Sequence, residues 1–175
     1  MKPMGMSADA WHNCPYCGAK LDERRVEGHA HQYCPTCDRI IFRNPVPAAG
    51  CVVEREGRIL LARRRDPPFA DHWYFPSGFV EYDEDVEATA SREIEEETGL
   101  RVEVGRVFGV YSYFDDPRKN GIIILFQSTI VGGELRAGDD ASDVAFFPPD
   151  GLPEPIGFAS HRRALRDWVR RRGAG

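Results

Sequence analysis

Glu84, Arg92, Glu93, Glu96 and Glu97 fall within one fourteen-residue stretch. On a helix, Glu93, Glu96 and Glu97 stand at i, i+3 and i+4 and share one face, with Arg92 one turn from Glu96. Such a carboxylate group repels itself and calls for a cation. Hard oxygen donors without His or Cys select Mg²⁺ or Mn²⁺ over zinc. A second set has different chemistry. Cys14, Cys17, Cys34 and Cys37 form C-x2-C-x16-C-x2-C, the spacing of two thiolate knuckles that close a tetrahedral Zn²⁺ site with no open position, hence a structural one. His12, His29 and His31 are nearby substitutes for a ligand, but with four thiols available they read as exposed polar residues. A redox C-x-x-C would need a thioredoxin-like context that the sequence lacks.

The elements that position these groups follow from local signals. The residues from Asp85 to Thr98 favour a helix, with Asp85 as N-cap and Gly99 as its stop. Val86, Ala90, Ile94 and Thr98 form the apolar stripe that docks on a sheet. Upstream, residues 11–44 form the zinc ribbon and residues 1–10 a mobile tail. The two prolines in residues 43–47 mark a linker. Residues 48–54 and 59–63 read as a β-hairpin around a Gly-containing turn. Cys51 in its apolar run reads as a small core residue. Strands are expected over 101–114, 122–131 and 144–147, with an acidic loop at 139–143. A final helix over 161–172 carries Ala164, Leu165, Trp168 and Val169 on one face, with Ser160 as its expected cap.

The box residues fit one longer pattern, G-x5-E-x7-R-E-U-x-E-E-x-G-U with U apolar, at Gly78, Glu84, Arg92, Glu93, Ile94, Glu96, Glu97, Gly99 and Leu100. Trp73-Tyr-Phe-Pro-Ser77 leads into it. The stretch resembles the signature of the Nudix hydrolases, and the resemblance spans roughly residues 46–170. It implies an α+β fold, an α/β/α sandwich around a mixed β-sheet, here with an N-terminal zinc ribbon, so that residues 45–175 form the Nudix domain. It also implies hydrolysis of a nucleoside diphosphate linked to another group. Carried over by position, Glu93, Glu96 and Glu97 are metal ligands, and Glu93 is also a candidate base or base-orienting group. Glu84 completes the metal site, and the Ser77 carbonyl lies near it. Arg92 holds the glutamates by ion pairing, and Gly78 permits a tight loop. Asp83 departs from the glycine that many members carry there, and Asp tolerates the same backbone angles. A further acid often follows the box in related enzymes; Asp140 and Asp143 are the candidates, with Glu134 competing and a solvated loop as the plain alternative.

Substrate contacts are read from chemistry. Arg63, Arg64 and Arg65 end the hairpin, and guanidinium groups bind phosphate in bidentate fashion, although a solvated strand end fits equally. Trp73, Tyr111, Tyr113 and Phe114 are candidates to stack on a base, or else core aromatics. The ribbon and box together resemble the branch that includes ADP-ribose and FAD pyrophosphatases. NADH pyrophosphatases carry S-Q-P-W-P-F-P-x-S after the box, and no such run occurs between Gly99 and Gly133. The alternatives are an NADH, nucleoside triphosphate or capped-RNA hydrolase, or a non-catalytic nucleotide sensor with the ribbon as interaction module.

The chain has 175 residues, 42% of them apolar, and a net charge of −5. That is enough for one medium domain plus a small module, and it disfavours a general nucleic-acid binder. No apolar run approaches the roughly 18 residues of a membrane span, and cysteines paired for metal suit a reducing compartment, so a cytoplasmic location is expected. The ribbon is also a candidate support for a homodimer; an unchanged solution mass after removal of residues 1–44 would reject that role.

Overall fold

A computed structural model describes residues 11–138 and 140–173. The expected tail at 1–10 and Asp139 lie outside the described residues. The chain divides into two units between Pro45 and Val46.

The first unit is a three-stranded antiparallel sheet of β1 (Asp22–Val26), β2 (His29–Cys34) and β3 (Arg39–Ile41), with β2 central. Glu27 and Gly28, with φ of 48° and 85°, make the tight β1–β2 turn, a conformation that suits the twist of a hairpin. Cys14 and Cys34 are buried. Among the described residues of this unit nothing else amounts to a core, since Trp11, Tyr16 and Phe42 are exposed.

In the second unit, burial on both faces of one strand decides the architecture. Strand β4 (Val46–Arg55) turns through Glu56 and Gly57, both at positive φ, into β5 (Arg58–Arg64). Two short strands follow, β6 (Trp73–Tyr74) and β7 (Ser77–Phe79), then helix α1 (Val86–Thr98). Strands β8 (Leu100–Tyr113), β9 (Gly121–Gly133) and β10 (Ala141–Phe147) precede helix α2 (Ala159–Arg172). The sheet order is β10-β5-β4-β9-β8, with β6 on β5 and β7 on β4. β4 runs parallel to β9 and antiparallel to β5 and β7, so the sheet is mixed.

Alternation along β4 sends Ala48 and Val52 to one core, with Trp73, Phe75, Leu165 and Trp168. Ala49, Cys51 and Val53 go to the other, with Ala90 and Ile94 of α1. One strand thus feeds two apolar layers, α2 closing one and α1 the other, which is the expected α/β/α sandwich. Fully burying each such Leu, Ile or Phe contributes roughly 1.5–3 kcal/mol. Cys51 is a core residue as expected. Its thiol donates to the Ala90 carbonyl at 3.3 Å, and burial pushes its pKa up to about 11. Among the described residues no helix is long and apolar enough to cross a membrane.

Three local expectations are corrected. Val46 and Pro47 are not linker but the start of β4, paired with Gly121 and Ile122, because the neighbouring β9 supplies a partner that the prolines cannot veto from an end position. Ser160 does not cap α2. Its hydroxyl is buried without a partner, while the Asp115 carboxylate accepts the Ala159 amide at 2.7 Å. Residues 141–143 of the expected acidic loop belong to β10, opposite β5.

Candidate active site

Helix α1 carries the site because its two faces face different surroundings. Asp85 is the N-cap by backbone geometry but makes no side-chain cap bond. The helix stops at Gly99, whose φ of 70° is the left-handed angle glycine adopts without penalty and whose amide returns to the Glu95 carbonyl. Ala90, Ile94 and Thr98 are buried toward the sheet as expected, which leaves Arg92, Glu93 and Glu96 on the other side.

Arg92 gathers three acids. Its Nε and Nη2 bind the two oxygens of Glu84, each at 2.9 Å, while Nη1 reaches Glu93 at 2.6 Å and Glu96 at 3.0 Å. Glu84 also accepts the Thr89 hydroxyl at 2.7 Å. The Arg92 guanidinium, helped by Thr89, holds Glu84 at about 2, well below the usual carboxylate range.

Glu97 goes elsewhere. Its carboxylate is buried, accepting the Tyr74 hydroxyl at 2.7 Å and the Ser77 amide at 3.0 Å. β6 and β7 therefore reach across to fix it. Burial pushes its pKa up to about 8 against these two donors, and the charge of Glu93 adds to the rise. Burial raises Glu93 also, with Arg92 opposing.

The three box glutamates do not converge on one point as their helical spacing predicts. Among the described residues, the group of three or more potential metal ligands whose ligand atoms all lie within 4.8 Å is the cysteine quartet alone. Arg92 draws Glu93 and Glu96 to one nitrogen, and Tyr74 takes Glu97. Two cavities adjoin them. One of ≈ 260 Å³ is lined by Glu93, Glu97 and Asp140, and another of ≈ 520 Å³ by those three with Glu95 and Glu96. The donor set fits a hard divalent ion. Two carboxylates with raised pKa at a cavity wall, Glu97 without an ion-pair partner among the described residues and Glu93 only partly offset by Arg92, are the groups that such an ion would ionise and join.

Of the remaining candidates, Arg64 lines the smaller cavity. Arg63 is turned to Asp71 at 3.2 Å, and Arg65 donates to the carbonyls of Gly138 and Ala141. Trp73 is no stacking platform: only 9% exposed, it packs edge-on against Phe147 in the core, because its strand position faces the α2 layer. Tyr111 is likewise buried and donates to Asp167, Tyr113 lines the cavity, and Phe114 is exposed. Asp140 is at both cavities, whereas Asp143 is exposed in β10 and accepts the Val144 amide. Ser77 lines the smaller cavity, its amide committed to Glu97.

Tyr74, Ser160 and His161 also line that cavity and are not legible as site residues from the sequence. The one signal for Tyr74 is its alternation with Trp73, which turns its hydroxyl to the opposite side of the strand.

Gly78 is required by a close approach. A Cβ there would collide with the Glu93 carboxylate. Gly78→Ala is expected to displace that carboxylate and lower kcat/KM about 100-fold, the cost of misplacing a reacting group by about 1 Å. The obstructing atoms end a flexible side chain, so the melting temperature should fall by no more than about 2 °C. Steady-state kinetics beside a thermal melt would check both, and near-normal activity would contradict the assigned contact.

The cysteines close on one another in the first unit. Cys17 and Cys34 sulfurs are 3.6 Å apart, and the Cys37 amide donates to Cys34 at 3.4 Å. A tetrahedron with bonds of about 2.3 Å has edges of about 3.8 Å, so the set suits zinc. Burial opposes ionisation of Cys14, but the amides of Tyr16 and Cys17 bring it to about 7; Cys37 is pushed up to about 12, first by its bond to Cys17. Four thiolates held this close would repel one another, and a bound cation offsets that repulsion.

A mixed sheet between two helical layers, with arginine-clamped glutamates at a cavity, defines the class of α/β/α hydrolases that present carboxylates from a loop–helix–loop. Residues 44–169 match the NUDIX domain, and the chain belongs to the Nudix family; it is a Nudix pyrophosphohydrolase, a family whose members use a divalent metal, generally Mg²⁺ or Mn²⁺. It is 41% identical over 131 residues to the ADP-ribose pyrophosphatase of Methanocaldococcus jannaschii, covering 74% of this chain and 76% of that one. It is 31% identical over 158 residues to the NAD-capped RNA hydrolase NudC of Chromobacterium violaceum, covering 87% of this chain and 57% of that protein's length. Among solved structures, a NUDIX hydrolase from Nitrosomonas europaea superposes with a TM-score of 0.81 at 29% identity, covering 94% of each chain.

Proposed function

We propose that the protein hydrolyses the diphosphate of ADP-ribose to AMP and ribose 5-phosphate, with FAD as the next candidate, giving AMP and FMN. The observation that carries this reading is one cavity lined by both Glu93 and Glu97 and by the Arg64 guanidinium, the two kinds of group a metal-bound diphosphate needs. The similarity to an ADP-ribose pyrophosphatase supports the choice of substrate.

In this reading Glu93, Glu96 and Glu97 hold Mg²⁺ or Mn²⁺, with Glu84 behind them and Asp140 beside them. The ion, when bound, offsets phosphate charge and lowers the pKa of a coordinated water. The chain's own groups do the rest. Glu93, hydrogen-bonded to Arg92, accepts or orients the proton of the attacking water. Tyr74 and the Ser77 amide keep Glu97 from rotating away, and Arg64 binds non-bridging phosphate oxygen.

Product analysis decides it. The protein is incubated with Mg²⁺ or Mn²⁺ and ADP-ribose, FAD, NADH, a nucleoside triphosphate or NAD-capped RNA, beside a Glu96→Gln control. AMP with ribose 5-phosphate, lost in the control, is expected; no turnover of ADP-ribose or FAD would overturn the reading. NAD-capped RNA is included because the similarity to such hydrolases extends over 87% of the chain. Release of 5′-monophosphate RNA alone would favour that second reading.

We propose also that Cys14, Cys17, Cys34 and Cys37 bind one structural Zn²⁺. Metal analysis should find one zinc per chain. Cys34→Ser should lose it and open residues 11–45 to protease, because a unit this small has no other core. Retained zinc or unchanged protection would count against the assignment.

A further inference from the structure

The cavity that Glu93 and Glu97 line has other groups in its wall that neither the box nor the proposed roles use, Ser160 and His161 in the first turn of α2. Ser160 is 1% exposed, and its hydroxyl has no partner among the described residues. A buried hydroxyl left unbonded is destabilising, and native structures keep few such groups without a use for them. His161 is buried too, and its Nδ1 accepts the Phe75 amide at 3.1 Å. A neutral imidazole that accepts at Nδ1 carries its proton on Nε2, so the second nitrogen is a donor. Burial holds the ring neutral, with a pKa of about 3.

Arg64 is the third donor at this wall. Its Nε is fixed on the Pro68 carbonyl at 3.0 Å, and its guanidinium carbon lies 5.3 Å and 5.5 Å from the ring centres of Tyr74 and Phe158. Among the described residues it makes no ion pair, and its remaining N–H groups have no acceptor. The start of α2 adds to the same polarity. Asp115 takes the Ala159 amide and also pairs with Arg162, yet does not line the cavity. The amides of Ser160 and His161 remain among those an α-helix leaves without an internal acceptor.

We infer that Ser160 and His161, with Arg64, form an anion subsite in this cavity that takes phosphate oxygens without a metal ion. Among the described residues none of these three donors is hydrogen-bonded or ion-paired to a carboxylate, although Glu97 and Asp140 line the same cavity, and such donors suit an oxyanion better than a neutral base edge, which also presents donors of its own. The inference rests on the diphosphate reading for its natural ligand. The carboxylate wall takes the phosphate that is attacked, with its cation, and the donor wall takes the adjoining one. Two linked phosphates are then the unit recognised.

The test is binding of inorganic phosphate, followed by ³¹P resonance, to whole protein dialysed free of added divalent cation without a chelator, so that bound zinc stays. Wild-type protein should bind, and Ser160→Ala and Arg64→Gln should each weaken binding about tenfold, the scale of one hydrogen bond to a charged group. Ser160→Ala should melt no lower than wild type, since its hydroxyl has no protein partner to lose; a purely structural role would lower the melting point and leave phosphate binding unchanged. Glu93→Gln, at the other wall, should still bind phosphate. Equal binding by wild type and both donor variants, or no binding by a wild-type protein that hydrolyses ADP-ribose, would overturn the subsite. Phosphate binding that depends on Ser160 and Arg64 in a protein that cleaves no diphosphate would support the subsite and reject the hydrolase reading instead.

Discussion

Glu97→Gln should lower kcat about a thousandfold while leaving the protein folded. Glu97 is the box acid most removed from water, and its two hydrogen bonds come from Tyr74 and Ser77. Glutamine keeps the shape and one acceptor oxygen, so one of those donors stays satisfied. What it cannot do is carry charge. Burial already disfavours the Glu97 carboxylate in the protein alone, up to about 8, so replacing it with a neutral amide removes an electrostatic cost from the fold. The melting temperature should hold or rise, and the activity should collapse, because a ligand-bearing or proton-handling carboxylate is worth about 10²–10⁴ in rate. Turnover of ADP-ribose and a thermal melt on the same preparation separate the two effects. Activity within threefold of wild type would remove Glu97 from the machinery; a large fall in melting temperature would make its role structural.

The fate of this glutamate also shows what local sequence can and cannot settle. That residues 93, 96 and 97 share a helical face follows from spacing alone, and so does the end of the helix at Gly99. The burial of Ala90 and Ile94 follows from the same periodicity. The division of labour among the acids does not. Whether Glu97 turns inward depends on Tyr74, twenty-three positions earlier, which reaches it only because β6 pairs with β5 and α1 crosses the sheet. The same limit explains the start of α2. Ser160 has the side chain of a cap, but the helix begins one residue before it at Ala159, whose amide is taken by Asp115, forty-four residues earlier, and no pattern within the helix announces that. Trp73 illustrates the converse. An aromatic leading into the acidic motif suggests stacking, yet strand alternation turns it into the core against Phe147, and which face of a two-residue strand is buried is decided by the sheet around it. Sandwich architecture was easier to read than site geometry because continuous apolar runs such as 48–53 have few ways to be buried on both sides.

Arg92→Ala should damage activity and stability together. One guanidinium serves Glu84 through two bonds and Glu93 and Glu96 through a third nitrogen, and it also reaches the Phe79 carbonyl at 3.4 Å. Removing it leaves three acids crowded around the space it occupied. Glu84 loses the partner that holds it at about 2, and Glu93, already raised by burial, loses the charge that opposes the rise. Glu93 would then move, and a displacement of about 1 Å at the reacting centre lowers the rate about 100-fold. The melting temperature should fall on the order of 5 °C, since loss of one member of a partly buried ion network leaves the others unmatched. Lysine tests the geometry rather than the charge: it restores a cation but cannot grip Glu84 with two parallel N–H groups while holding Glu93. Arg92→Lys should therefore recover most of the melting temperature and little of the activity. If lysine restores both, the planar fork is unnecessary and net charge is the whole of its contribution; if alanine is silent in kinetics, the clamp does not position Glu93 at all.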